Sequence, residues 1–353
     1  MIIKDAQNLS INAGDMICNA QCPDCVSFMT TNPADVWKYF YKGIDEIEFD
    51  RTVRRAIRSK VGTVLFTGKG ELFLHPEQIS RYLELMQGER YWQLTEKEIQ
   101  TNGLLIQRGE FSGKDGWLDQ WYKLGMNVVS LSVVDVENRV NHEFYNPHQQ
   151  SYPSLQDTIR VLHDKSYSVR LSVTMTKGRV DDPKDLERVI DFCKRNGIEE
   201  LSFRPVRKSP KDEINRAKTH CLRTWDWVKE NELSPEQERA IVEYVEANKD
   251  CEIQRLVHGA VVYQMHDQNV CLTDCLTLQS GDDQWRQIIF YSCGEVALDW
   301  DHPAARIHGP GQDALAYKEE LILEAQRYLL GRKNHCERTG RRYPECQFSN
   351  CRK

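Results

Sequence analysis

Short β-rich runs alternate with longer helical patterns over residues 50–207, and this alternation limits the available folds more than any other feature. One further run precedes it near the start of the chain. The six runs are Leu9 to Ala13, Thr63 to Thr67, Glu98 to Thr101, Val128 to Val134, Val169 to Met175 and Glu200 to Phe203. Repeats of strand, helix and strand build a parallel sheet with right-handed connections. Six such units are fewer than the eight of a closed α/β barrel, so the sequence predicts an open, partial (β/α)6 barrel.

Three cysteines follow the first predicted strand, in the stretch Cys18-Asn-Ala-Gln-Cys22-Pro-Asp-Cys25. A loop this short can turn three thiolates toward one point, but it cannot supply four ligands. Iron–sulfur cubes are held by cysteine thiolates and contain four irons, so three local cysteines leave one iron open to a further ligand. Two cysteines separated by two residues also occur in zinc sites, in redox pairs and as buried thiols. The cysteines alone leave these alternatives open.

The spacing of Cys18, Cys22 and Cys25 resembles the motif of the radical S-adenosylmethionine (SAM) enzymes. The resemblance covers residues 9 to about 206 and implies a [4Fe-4S] cluster on these three cysteines. It further implies that the amino and carboxylate groups of SAM chelate the fourth iron, and that reductive cleavage of SAM gives a 5′-deoxyadenosyl radical. Asp24 departs from the family pattern, in which an aromatic residue often precedes the third cysteine.

The loop after the second predicted strand contains Gly68-Lys69-Gly70-Glu71. Glycines at the end of a strand let backbone amides approach a ligand closely, although the same loop also fits a tight strand-to-helix turn. The loop resembles the Gly-Gly-Glu segment of the family, which holds the amino group of SAM. We therefore predict that Gly68, Gly70 and Glu71 bind the cofactor, although Lys69 interrupts the glycine pair.

Four more positions are predicted to face the cofactor because of the same resemblance. Thr101 and Asn102 follow the third strand, where a simple turn is the alternative reading. Ser132 is a polar residue in the otherwise apolar fourth strand, at the place where the family bonds the SAM ribose or carboxylate. Arg204 ends the sixth strand and Arg170 opens the fifth. One of these two faces the SAM carboxylate or an anionic substrate, and we select Arg204.

The composition changes after Val206, which predicts a barrel over residues 1–207 and a smaller C-terminal α+β extension over residues 208–353. A β-hairpin is predicted between Gln287 and Trp300. Cysteines before the hairpin and in the basic tail loosely resemble the SPASM or twitch extension of radical SAM enzymes. This implies a second iron–sulfur cluster, with zinc as the alternative occupant. The candidate ligands of this second metal site are Cys275, Cys336, Cys346 and Cys351.

The composition excludes several classes of protein. A formal net charge of −6 over 353 residues argues against a nucleic-acid partner, which requires a surplus of Lys and Arg. No apolar run approaches the ~20 residues of a membrane span, and no export signal is visible at the start. Twelve cysteines without an export signal indicate reduced thiols and metal ligands. These features predict a cytoplasmic protein with neither a membrane nor a nucleic acid as partner.

The sequence therefore predicts a radical SAM enzyme that abstracts hydrogen from a small molecule or a peptide in a biosynthetic or modification pathway. The implied partners are this substrate and a reducing protein such as flavodoxin or ferredoxin. The sequence indicates no catalytic side chain. The alternative from another class is a zinc-stabilised binding module without catalysis.

Overall fold

The computed structural model describes residues 4–27, 36–145, 151–207, 222–256, 259–273, 284–300 and 305–339. For residues 222, 223 and 330–339 it describes the backbone alone. The strands are β1 Ala6–Asn12, β2 Thr63–Thr67, β3 Glu96–Thr101, β4 Val128–Val133, β5 Ser168–Met175, β6 Glu200–Pro205, β7 Cys251–Arg255, β8 Val261–Met265, β9 Gln268–Leu272, β10 Trp285–Tyr291, β11 Val296–Ala297 and β12 Arg306–His308. The α-helices are α1 Glu46–Arg58, α2 Pro76–Leu85, α3 Gly109–Ser112, α4 Trp117–Lys123, α5 Asn138–Tyr145, α6 Leu155–Asp164, α7 Pro183–Asn196, α8 Leu222–Asn231, α9 Pro235–Asn248, α10 Gln312–Ala316 and α11 Lys318–Thr339. Short 3₁₀ helices span Val36–Phe40, Leu72–Leu74 and Glu89–Tyr91.

All described strands belong to one sheet, in the order β12-β11-β10-β1-β2-β3-β4-β5-β6-β9-β8-β7. Strands β1 to β6 lie side by side in chain order, and each pairs in parallel with the next. A helix follows each of the strands β2 to β5, as a βα repeat requires. The sheet does not close on itself, so the predicted open α/β architecture with six central βα strands is confirmed.

Strands from the C-terminal part of the chain cover both sides of this central unit. β10 pairs in parallel with β1, and β9 pairs in parallel with β6. Edge strands expose unpaired backbone groups, and these additions satisfy them along β1 and β6. The predicted hairpin is also present, because β10 and β11 pair antiparallel. The division of the chain at residue 207 into two domains stays a prediction.

The two faces of the central strands differ in polarity. In β5 the residues Val169, Leu171 and Val173 are buried, whereas the alternating residues between them are partly exposed. Successive side chains of a strand point to opposite faces, so this alternation gives one face packed against helices and one polar face. We call the second one the polar face. It contains Ser172, which is in register with Ser202 of β6.

Helix α7 illustrates how the local sequence positions the helices. The Asp182 side chain accepts hydrogen bonds from the first backbone N–H groups of the helix, and Pro183 occupies its first turn. Gly197 ends the helix with a φ of +66°, a conformation that favours glycine. The predicted stop at this glycine is thus confirmed.

One helix prediction was wrong in detail. The single helix predicted from Asp313 to Leu330 is divided into α10 and α11 at Tyr317. The Tyr317 carbonyl accepts a hydrogen bond from Leu321 N, so a new helix begins there. Neither glycine nor proline marks this break in the sequence. Within the described part of the chain, no helix has both the length and the apolar character needed to cross a membrane.

Candidate active site

The cysteine loop leaves β1 at its C-terminal end and carries Cys18, Cys22 and Cys25. All three side chains are partly exposed, and none forms a disulfide. Asp15 fixes the start of the loop, because its Oδ1 accepts a hydrogen bond of 2.7 Å from Ile17 N. Polar groups of known position therefore hold the chain as it enters the cysteines.

The separation of the three sulfur atoms tests which group they could hold. They do not all lie within 4.8 Å of one another, which is the separation that three ligand atoms of one ion would show. Sulfurs around a tetrahedral zinc lie about 3.8 Å apart, given a Zn–S distance of about 2.3 Å. In a four-iron cluster each cysteine binds a different iron, so the sulfurs must stand further apart. The arrangement of Cys18, Cys22 and Cys25 fits a cluster better than a single ion.

The glycine loop packs directly on the segment that leads into the cysteines. Glu71 N donates a hydrogen bond of 2.9 Å to the carbonyl of Ile17. A Cβ at Gly70 would lie 2.2 Å from the Ile17 oxygen and 2.4 Å from the Asp15 oxygen, and a Cβ at Gly68 would lie 2.7 Å from the backbone oxygen of Ala13. Glycine is required at both positions because two backbone segments meet here.

The Glu71 side chain joins the glycine loop to the end of β3. Its carboxylate accepts hydrogen bonds from Phe73 N at 3.0 Å, Thr101 Oγ1 at 2.7 Å and Asn102 N at 3.0 Å. Burial raises the pKa of Glu71, while these hydrogen bonds act in the opposite direction. Because the carboxylate is engaged by the protein, a contact between Glu71 and SAM would have to use the backbone.

Asn102 closes the arrangement by contacting the cysteine loop. Its Nδ2 donates to Asn19 Oδ1 at 2.7 Å and lies 3.8 Å from the sulfur of Cys18. Its Oδ1 accepts a hydrogen bond from Leu104 N at 3.0 Å. Three segments that are distant in sequence, namely the cysteine loop, the glycine loop and the turn Thr101–Asn102, therefore meet at one edge of the sheet.

The two predicted arginines have different surroundings on the polar face. Arg170 contacts both Glu98 and Glu200, so its charge is neutralised within the protein. Arg204 is exposed and forms no hydrogen bond or ion pair with any residue that the structure describes. The selection of Arg204 over Arg170 as the ligand-facing residue agrees with this difference. Ser132 is partly exposed in β4, and it lies in register with a serine of β5.

Solved structures with the same architecture exist. SuiB from Streptococcus suis, bound to S-adenosylmethionine, matches 93% of this chain and 67% of its own, with 15% identity and a TM-score of 0.54. A second SuiB structure matches 88% of this chain and 64% of its own, with 13% identity and a TM-score of 0.52. The chain thus spans about two thirds of the length of SuiB. Native-like similarity also extends to anSMEcpe with bound AdoMet, at 16% identity and a TM-score of 0.49 over 92% of this chain and 82% of that one.

The chain has the fold of the radical SAM enzymes. The resemblance that the cysteine motif and the strand order indicated is therefore confirmed at the level of fold. No protein-family model matches the sequence, and no curated protein matches it.

The radical SAM fold places an aromatic wall beside the cysteine loop, and the sequence analysis missed it. Phe144 and Tyr145 end helix α5, and Cys22 packs against the apolar cluster that contains them. Gln21 N also donates a hydrogen bond of 2.7 Å to the Tyr145 carbonyl. Burial, together with the nearby Cys22, raises the pKa of Tyr145 well above its usual value. The apolar pattern of the short helix after the fourth strand was the available signal.

A second missed feature is the turn that connects β1 to the cysteine loop. Gly14 has a φ of +72°, and its N–H donates to Gln78 Oε1 at 2.7 Å. His75 Nε2 lies 3.2 Å from Asp15 Oδ1 and accepts a hydrogen bond from Asp15 N at 3.3 Å. His75 therefore supports the loop through direct contacts, which its place in the sequence did not reveal.

Most of the predicted second metal site falls outside the described residues. This applies to Cys275, Cys346 and Cys351. Cys336 lies in helix α11, in the part where only the backbone is described. Cys293, at the turn of the hairpin, is buried, and burial raises its pKa to about 11. The second site stays a prediction.

Proposed function

We propose that this protein is a radical SAM enzyme. It reductively cleaves SAM and uses the resulting 5′-deoxyadenosyl radical to abstract hydrogen from a small molecule or a peptide. The observation that carries the proposal is the meeting of the three predicted segments at one edge of the sheet. Asn102 contacts the cysteine loop, and Glu71 bonds the turn that contains Asn102. Such agreement between separate motifs and the fold is more specific than any single motif.

The bound cluster and SAM would supply the electron transfer and the radical. The residues of this chain bind, orient and exclude water. Cys18, Cys22 and Cys25 would hold the cluster, and their sulfur separation supports this assignment. The remaining predicted cofactor ligands are Gly68, Gly70, Glu71, Thr101, Asn102, Ser132 and Arg204.

The glycine loop would present backbone groups to the amino end of SAM, because the Glu71 carboxylate is engaged by three donors of the protein itself. Thr101 and Asn102 would act mainly by fixing that loop against the cysteine loop. Ser132 would offer its hydroxyl to the ribose or the carboxylate from the polar face. A one-electron donor such as flavodoxin or ferredoxin completes the reaction, and the protein would act in the cytoplasm.

The test is SAM cleavage by the full chain, reconstituted with iron and sulfide and reduced without oxygen. We expect wild type to form 5′-deoxyadenosine and to be brown. The variant in which Cys18, Cys22 and Cys25 are all replaced by Ala should form none, because the cluster has lost its ligands. The matched control replaces Cys193, which is buried in α7, and Cys251, which is exposed in β7.

The control variant should retain both the colour and the cleavage activity. Undiminished cleavage in the triple variant would contradict the proposal. A colourless wild type that binds one zinc through the same cysteines would instead favour the non-catalytic binding module.

A further inference from the structure

Two arginines stand without an acidic partner at the C-terminal ends of β5 and β6. Arg204 ends β6, and Arg179 follows β5. Among the described residues, Arg179 donates only to Thr176 Oγ1 at 3.3 Å, and its guanidinium lies 5.1 Å from the ring centroid of Phe144. Arginine stays charged at any physiological pH, and its planar donors match a carboxylate or a phosphate. Two such groups side by side form a site for an anion.

A chain of contacts places these arginines next to the cysteine loop. Arg204 is in register with Thr174 of β5, and the Thr174 side chain hydrogen-bonds Tyr145. Tyr145 in turn accepts the hydrogen bond from Gln21 N, and Cys22 packs against the same aromatic cluster. An anion held by Arg204 would therefore lie on the side of the aromatic wall that borders the cysteines.

The position of Arg204 also separates it from the loop that is proposed to bind SAM. The glycine loop follows β2, whereas Arg204 ends β6, four strands further along the sheet. With strands about 4.8 Å apart, this corresponds to about 19 Å measured along the sheet. An amino acid group bound near the glycine loop and an anion bound at Arg204 are thus different ligand groups.

We infer that Arg204, assisted by Arg179, binds an anionic group of the substrate, either a carboxylate or a phosphate. This inference rests on the proposed function and names its substrate class. The aromatic wall supplies the apolar part of the same site, since Trp227 packs on Phe144 with ring centroids 5.7 Å apart. Together they hold the anionic end of the substrate at the rim of β5 and β6 and direct its remainder toward the cysteine loop.

The experiment measures anion binding to the reconstituted full chain with SAM present, by isothermal titration at low salt. The probes are inorganic pyrophosphate and glutarate, which represent the phosphate and the carboxylate. Arg204→Gln should weaken binding of the preferred probe about ten-fold, because charge-assisted hydrogen bonds are lost, and Arg179→Gln should weaken it to a smaller extent. The control Arg58→Gln changes an exposed arginine of α1 and should leave the affinity unchanged.

Binding of pyrophosphate alone would assign a phosphate, and binding of glutarate alone would assign a carboxylate. The inference is overturned if wild type binds neither probe, or if Arg204→Gln binds both probes as tightly as Arg58→Gln does. It is also overturned if Arg204→Gln weakens SAM and not the probes, because Arg204 then belongs to the cofactor site. Normal probe binding in a protein that forms no 5′-deoxyadenosine would count against the proposed reaction, whereas normal cleavage without probe binding would count against the anion site alone.

Discussion

Replacing Gly70 by Ala tests whether the glycine loop and the cysteine loop form one structural unit. The added Cβ would lie 2.2 Å and 2.4 Å from the backbone oxygens of Ile17 and Asp15, far inside the 3.4 Å at which ordinary contact begins. Both obstacles are backbone atoms, so no side-chain rotation can relieve the contact. The glycine loop must move away from the segment that leads into the cysteines.

The cost of this movement has two parts. Overpacking of this kind costs about 1–3 kcal/mol. Separation of the loops also removes the hydrogen bond from Glu71 N to Ile17 O, which contributes about 1 kcal/mol. We therefore expect Gly70→Ala to lower the free energy of unfolding by about 2–4 kcal/mol. Because the displaced contact supports Cys18, the iron content after reconstitution should fall as well.

The assay is urea denaturation of the unreconstituted chain, followed by iron and sulfide determination after reconstitution. The matched control is Gly109→Ala, since no atom lies within 4 Å of the position that its Cβ would take. The control should stay within about 0.5 kcal/mol of wild type. Equal stability and equal iron content in the Gly70 and Gly109 variants would refute the reasoning, because the close approach of the two loops would then have no energetic consequence.

Three further predictions concern other parts of the chain. Burial would raise the pKa of Asp135, but hydrogen bonds from Arg188 at 2.7 and 2.9 Å and from the backbone hold it below its usual value. A lowered carboxyl pKa stabilises the fold above the unfolded pKa of about 3.9, so Asp135→Asn should cost about 2 kcal/mol at pH 7, and less as the pH of the denaturation experiment falls below about 4; a constant difference would contradict this. Tyr328→Phe removes a buried hydrogen bond of 2.7 Å to Met16 O and should lower the free energy of unfolding by about 1–2 kcal/mol in urea denaturation, an effect that would be absent if this contact does not form. If the tail cysteines bind metal, elemental analysis should find iron or zinc in the variant that lacks the three cysteines of the first loop, and a metal-free variant would refute the second site.

Much of the central sheet could be predicted because its signals are local. The strand predicted over Val169 to Met175 is found as Ser168–Met175, since strict alternation of apolar and polar residues defines a half-buried strand. The hairpin and the stop at Gly197 were predicted for the same reason. The three-cysteine spacing is local too, and it led to the correct fold without any knowledge of the tertiary structure.

The remaining features depend on residues that are distant in sequence. Nothing near Gly70 indicates that its closest neighbours are the carbonyls of Asp15 and Ile17. Arg170 and Arg204 both looked suitable as ligand-facing residues, and only the sheet register brings Glu200 beside Arg170. The parallel pairing of β10 with β1 joins segments more than 270 residues apart, which no local pattern can indicate.

This pairing bears on how the cysteine loop is supported. β1 carries the loop, and it lies between β2 from the barrel and β10 from the C-terminal part of the chain. Ser292, directly after β10, donates to the Asn12 carbonyl at 3.3 Å, and Tyr328 of α11 donates to the Met16 carbonyl at 2.7 Å. Both contacts fall on the few residues that lead from β1 to the first cysteine. The C-terminal part therefore helps to fix the position of the proposed cluster, whether or not its own cysteines bind a second one.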